Sequence, residues 1–168
     1  MTSVRLENPS DYEVVRQVHN LVFMGSTEAT LVERLRGSPG SISLVAAESG
    51  DVVGHILFTA AEIVGAGAGV RVAGLGPMAV SPNRQRCGIG SGLVLQGLEA
   101  CRRMGYEAVV VVGHPAYYPR FGFQRGSNLG LRCQFAVPDD VFMAAELQPG
   151  ALSRGGGEVR YAAEFSEA

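Results

Sequence analysis

Gln85-Arg86-Cys87-Gly88-Ile89-Gly90-Ser91 lies between a strand-like run and a long amphipathic stretch, and its reading decides the fold. Leu75-Gly76-Pro77-Met78-Ala79-Val80 leads in, Ser81-Pro82-Asn83-Arg84 turns, and a helix is predicted from about Gly88. The first turn of a helix has backbone N–H groups without intrahelical partners and carries the positive end of the helix dipole. Two glycines there remove side chains that would hold a bulky anion away, and Arg84 and Arg86 add positive charge. The stretch reads as a pyrophosphate cradle.

On its N-terminal side, Val70 to Val80 is a strand that contains Gly74, Gly76 and Pro77. Proline cannot donate to a ladder, and strand glycines mark bulges or close approach, so irregularity is expected just before the cradle. On the C-terminal side, Leu93, Val94, Leu95, Leu98, Cys101 and Met104 form the apolar side of the helix. Arg102 and Arg103 suit its negative end, and Gly105 closes it. The run Ala108 to Val112 is almost wholly apolar, which predicts a strand covered on both faces and parallel to its predecessor. A tight aromatic segment, His114 to Phe123, follows.

Farther out the elements are plainer. Val4 and Leu6 alternate with Arg5 and Glu7 as a short strand. Ser10 and Glu13 have the spacing of a capping box, and Val14, Val15, Val18, Leu21 and Val22 give the following helix its apolar face. A second helix runs from Glu28 to Leu35 with Leu31, Val32 and Leu35 inward. Ile42 to Ala47 and Val52 to Ile63 read as a hairpin, and Gly65 to Gly69 as a flexible connection. Short strands are expected at Leu131 to Phe135, Asp140 to Leu147 and Glu158 to Tyr161. No internal repeat or linker divides residues 1–168, which read as one domain.

Composition narrows the function classes. With 46% apolar and 18% charged residues the chain suits a packed core and argues against disorder. A net charge of −2 gives no long-range attraction to nucleic acid or to an anionic membrane. No apolar run is long enough to span a bilayer, and Met1 to Glu7 lacks a signal-peptide core, so a cytoplasmic location is expected. Cys87, Cys101 and Cys133 have neither paired nor metal-ligand spacing, which predicts free thiols and no metal.

Gln85-x-x-Gly88-x-Gly90 after an Ala-Val strand end resembles motif A of the GNAT superfamily of N-acetyltransferases. Tyr118-Pro119-Arg120-Phe121-Gly122-Phe123 is similar to the family's Tyr-x-x-x-Gly-Phe segment, and Gly113-His114-Pro115 through Phe123 resembles a bacterial subgroup of predicted acetyltransferases of unassigned substrate. The resemblance covers about Leu75–Phe123 most strongly. It implies an α/β fold with a mixed, mostly antiparallel sheet of about six to seven strands and about four helices, splayed at a cleft for acetyl-CoA. Position by position, it puts the pyrophosphate on the Gln85 motif and the amides of Arg86, Cys87, Gly88, Ile89, Gly90 and Ser91. It lays the pantetheine arm along the backbone of Met78, Ala79 and Val80. Cys87 departs from the basic or glycine residue often found there, with little loss where contacts are through backbone.

Acyl transfer to an amine poses two proton problems. An amine of pKa about 10.4 is neutral in only about one molecule in 2,500 at pH 7, a handicap of roughly 4.6 kcal/mol. A departing thiolate resembles a thiol of pKa about 8.5, so full proton transfer from a tyrosine near 10 is uphill by roughly 2 kcal/mol. A tyrosine therefore serves best as a hydrogen-bond donor to the developing charge. The resemblance assigns that role to Tyr118 rather than Tyr117, and it makes Glu28, at the start of the helix bordering the acceptor site, a candidate base or substrate contact. The Val80 amide is the candidate donor to the thioester oxygen. First-turn placement explains Glu28 equally well through the helix dipole. His19, His55 and His114 read as structural. Cys87 beside two arginines allows an acyl-cysteine route, but the resemblance favours direct attack in a ternary complex.

Two nucleotide-binding readings fail on detail. The stretch lacks the Gly-x-Gly-x-x-Gly order of a dinucleotide fold, and no Gly-Lys-Ser/Thr is present for a Walker loop. A non-catalytic acyl-CoA-binding sensor or subunit is the alternative function class. The acceptor, a small-molecule or protein amine, is not encoded in the motifs, and the sequence admits a homodimer.

Overall fold

Alternating apolar residues at the N-terminus form β1 (Thr2–Leu6), the first element of a computed structural model that describes residues 2–167. Two helices follow, α1 (Tyr12–Phe23) and α2 (Thr27–Leu35), and then the hairpin β2 (Ile42–Glu48) and β3 (Asp51–Val64). β4 (Val72–Val80) leads through a short 3-10 turn into α3 (Ile89–Arg103) and β5 (Ala108–Val112). The remainder is β6 (Gln124–Arg125), β7 (Leu131–Cys133), β8 (Phe142–Glu146) and β9 (Gly157–Arg160), joined by turns. The main sheet has the order β1-β2-β3-β4-β5-β8-β6. Its pairs are antiparallel except β4 with β5, the parallel pair expected from the intervening helix. The far half of β3 pairs with β9, which also takes β7 in parallel.

Among the described residues nine strands and three α-helices stand where the family resemblance implies about six to seven and about four. β6 and β7 are too short to carry a period, and the remaining helical residues are 3-10 turns. The capping box also sits earlier than expected. Asp11 accepts the Asn8 amide at 2.7 Å and is held by Arg5, whereas Glu13 pairs with Arg16.

Each face of the sheet has its own cover. Leu93, Val94, Leu98 and Cys101 of α3 pack on Leu44, Ala46, Ile56 and Phe58. Gly97 allows the close approach, since a Cβ there would lie 2.2 Å from the Phe58 ring. On the opposite face, Val15 of α1 and Leu31, Val32 and Leu35 of α2 cover Val45 and Leu57. β5 is covered on both sides, with Val109 and Val111 in one cluster and Ala108 and Val110 in another. Val14, Leu21, Leu95 and Met104, assigned above to apolar helix faces, are exposed instead. On α1 the inward stripe runs through Val15, Val18 and His19, leaving Val14 and Leu21 to its sides.

His19 is fully buried because a polar chain continues from it. His19 Nε2 lies 2.8 Å from His55 Nδ1, and His55 Nε2 lies 2.7 Å from Ser43 Oγ. Ser43 donates to Glu7, and Arg36 grips the same carboxylate with two hydrogen bonds. Directionality fixes the tautomers. Because the serine proton goes to Glu7, His55 Nε2–H must donate to Ser43 and His19 Nε2–H to His55. His19 Nδ1 is left as a bare, unpartnered acceptor.

Burial, followed by the nearby Arg36 charge, holds His19 at about 4, and burial pushes His55 well below the usual imidazole range. Their folded pKa values lie below the unfolded value, so the unfolded chain binds more protons as pH falls below about 6.5. The stability they contribute is complete above that pH and is lost on acidification toward 4. Denaturant unfolding should therefore show a loss of about 2 kcal/mol from His19 alone between pH 7 and pH 5. A flat profile over that interval would contradict a neutral buried pair.

Candidate functional site

The site begins where two strands part. The β4–β5 register ends at Leu75 opposite Val111, while β4 continues to Val80 along β3 only. The cause lies at Gly76-Pro77, where β4 carries an extra residue against β3 between Met78–Ile56 and Leu75–Phe58. Beyond the bulge the backbone directions are fixed by alternation along a strand. The Ser81 amide bonds Val53 of β3 at 2.8 Å. The Ala79 amide and carbonyl therefore also face β3, and those of Met78 and Val80 face the gap. Gln85 agrees with this, since its Nε2 donates to the Val80 carbonyl at 3.0 Å from the cleft side. Of the three residues expected to pair with an extended ligand, only Met78 and Val80 offer backbone groups.

The gap opens onto the start of α3. Gly88 caps the helix at φ 81°, in the left-handed region, and Arg86 precedes it at φ 65°. The first backbone bond back into this turn is from Gly92 to Gly88, and the amides of residues 86–91 make no hydrogen bond to described residues. Six consecutive amides are thus free of described partners at the positive end of the dipole of a 15-residue helix. Gln85, Arg86, Gly88, Gly90 and Ser91 line the cleft, whereas the Ile89 side chain is buried in the core. Cys87 is exposed and borders a separate, smaller cleft beside β1, away from the gap. Arg84 is held by Glu48.

The whole cleft encloses about 910 Å³. Leu75, Met78 and Val111 line its middle, and the aromatic segment closes one side. The His114 carbonyl accepts the amides of Tyr117 and Tyr118 at 3.1 and 3.4 Å, which folds this segment back over the gap, while the His114 side chain is exposed at the rim. Tyr117 leans on the cradle, with its hydroxyl 3.5 Å from Ser91 Oγ. Tyr118 is 7% exposed and packs edge-on against Tyr117 and Phe123. Its hydroxyl has no partner among the described residues, and burial, then the neighbouring Tyr117, pushes its pKa up to about 12. Glu28 lines the opposite side, half-buried and without a hydrogen bond or ion pair among the described residues. No cluster of three or more His, Cys, Asp or Glu able to hold a metal occurs among the described residues.

Known relatives show the family. Residues 3–126 match the family model described as an acetyltransferase (GNAT) domain. The chain belongs to the GNAT acetyltransferase family. The uncharacterized N-acetyltransferase YhbS of Escherichia coli K12 is 32% identical over 165 residues, covering 97% of this chain and 98% of its own. YjhQ of the same organism, likewise an uncharacterized N-acetyltransferase, is 36% identical over 139 residues, 80% of this chain and 77% of its own. The crystal structure of E. coli YhbS in complex with CoA superposes with a TM-score of 0.91 at 31% identity, covering 98% of this chain and 92% of that one. A GNAT acetyltransferase from Brucella melitensis in complex with acetyl-CoA gives 0.80 at 33% identity, covering 98% of each chain.

The GNAT cleft here also contains residues that no motif flagged. Val22 and Phe23 end α1, Pro77 sits in the bulge, Val112 ends β5, and Arg120 lies over the Tyr117 ring at 4.6 Å. The one local signal was apolar residues running to the very end of α1. Tyr118 supplies a direct check on the geometry. In absorbance titration the wild type and Tyr118→Phe should ionise the same number of phenols up to pH 10.5, because Tyr118 stays protonated there. A missing phenol in the variant at that pH would contradict its burial.

Proposed function

We propose that this chain transfers an acetyl group from acetyl-CoA to a primary amine by direct attack within a ternary complex. The observation that carries this reading is the parting of β4 and β5, which turns the Met78 and Val80 backbone toward the free amides at the start of α3. An extended amide-containing arm fits the strand backbone, and a pyrophosphate fits the cradle formed by residues 86–91. The resemblance to relatives solved with CoA and with acetyl-CoA supports the same choice.

In this reading the amine, having lost its ammonium proton to solvent, attacks the thioester carbonyl with its lone pair. A C–N bond forms, the C–S bond breaks with the electron pair leaving on sulfur, and the proton then shed by the nitrogen reaches the thiolate through solvent to give the free thiol. The Val80 amide donates to the carbonyl oxygen as it gains charge, and Tyr118 donates to the sulfur. With the phenol near 12, full proton transfer to a thiolate of about 8.5 is uphill on the order of 5 kcal/mol, so Tyr118 stabilises charge and keeps its proton. Glu28 meets the incoming ammonium at the rim. Moving the amine from water onto the apolar wall of Leu75 and Val111 favours its neutral form, which offsets part of the protonation handicap.

Thiol release from acetyl-CoA across an amine panel tests the reading. Tyr118→Phe should lower kcat by about 100-fold with the KM for acetyl-CoA unchanged. A loss below threefold would remove Tyr118 from the chemistry. Tight CoA binding without release for any amine would favour a sensor.

A further inference from the structure

The acceptor end of the cleft has a composition of its own. Resting on the reading above, we infer that the acceptor is a small monoamine with an apolar body, aralkyl or branched alkyl, that carries no second charge. The charge inventory carries the argument. The chain has 16 acidic residues, yet among the described residues Glu28 is the one carboxylate lining the cleft. It is half-buried and lacks any cationic partner among the described residues, so it can receive one ammonium group. A polyamine or aminoglycoside would bring further charges with no carboxylate to meet them, and each would lose hydration without compensation.

The cations of the cleft lie toward the cradle. Arg86 is in the turn before α3, and Arg120 donates through Nε to the Tyr117 carbonyl while its guanidinium covers the Tyr117 ring. Tyr117 itself reaches Ser91 of the cradle. An amino acid bound by its ammonium at Glu28 would therefore set its own carboxylate beside a like charge. The cleft that Glu28 lines also carries open apolar side chains. Phe23 is 39% exposed and Val112 42% exposed, and both face the cleft with Val22 and Pro77. Large apolar side chains left open in a cleft with a single described carboxylate match an ammonium on a hydrocarbon body.

Steady-state thiol release with saturating acetyl-CoA compares 2-phenylethylamine and isoamylamine with spermidine, kanamycin, free phenylalanine and an alanine-initiated tripeptide amide. The expected kcat/KM is at least tenfold higher for the two apolar monoamines. Glu28→Gln should raise their KM at least tenfold, and Phe23→Ser several-fold, with the KM for acetyl-CoA unchanged in both. A tenfold preference for any of the other four compounds overturns the inference, as does an unaltered amine KM in Glu28→Gln. If acetyl-CoA binds but no amine releases thiol, direct transfer fails while the acceptor class is still read by binding. A rise in melting temperature of the CoA-bound protein with 2-phenylethylamine and none with spermidine then supports it. The reverse pattern, or no rise with either, overturns it.

Discussion

A backbone ladder that stops early governs this structure. β4 and β5 run together for four paired residues and separate after Leu75 and Val111, while β4 stays bonded to β3 as far as Val80. Unpaired backbone groups inside a protein are costly unless something completes them. Here they border a cleft, next to the open amides of a helix start. Apart from the Val80 carbonyl, which Gln85 meets, both sets of groups lack a described partner for the same reason, since the chain leaves β4, turns once, and enters α3 directly. Gly76 and Pro77 mark the parting, because the bulge shifts the register there and proline has no amide for a ladder bond.

That separation is affordable only because the rest of the sheet is held from both faces. α3 lies tightly on Phe58 through Gly97, and α1 and α2 close the opposite side. The buried chain from Arg36 through Glu7, Ser43 and His55 to His19 ties the end of α2 and the residue after β1 to β2, β3 and α1 with directed bonds. It places α1 so that its last turn, Val22 and Phe23, reaches the cleft. The apolar packing and the polar chain thus set the two walls between which the gap stays open.

The sequence made the cradle legible because anion binding at a helix start depends on local features, two glycines and a strand–turn–helix order, which Gln85–Ser91 displays. The irregular strand was legible for a similar reason, since Gly76 and Pro77 have few other uses. What escaped was set by distance in the fold. Nothing local distinguishes Ala79, whose backbone faces β3, from Met78 and Val80, because direction depends on pairing with Val53. His19 reads as structural in the sequence, but nothing local names its partner, since His55 stands 36 positions away. The cleft joins residues from α1, α2, β4 and β5, so no single stretch could reveal its lining. Exposure on helices also departed from the pattern where an apolar stripe was wider than the surface available to cover it, as at Leu21 and Leu95.

The central claim is that one ligand completes both the free edge of β4 and the start of α3. Residue-resolved amide hydrogen exchange, with and without acetyl-CoA, tests it directly. Exchange should slow at Met78, at Val80 and across residues 86–91 together, and should stay unchanged at Ala79, which is already bonded to β3. Protection confined to residues 86–91, or acquired equally at Ala79, would contradict the account.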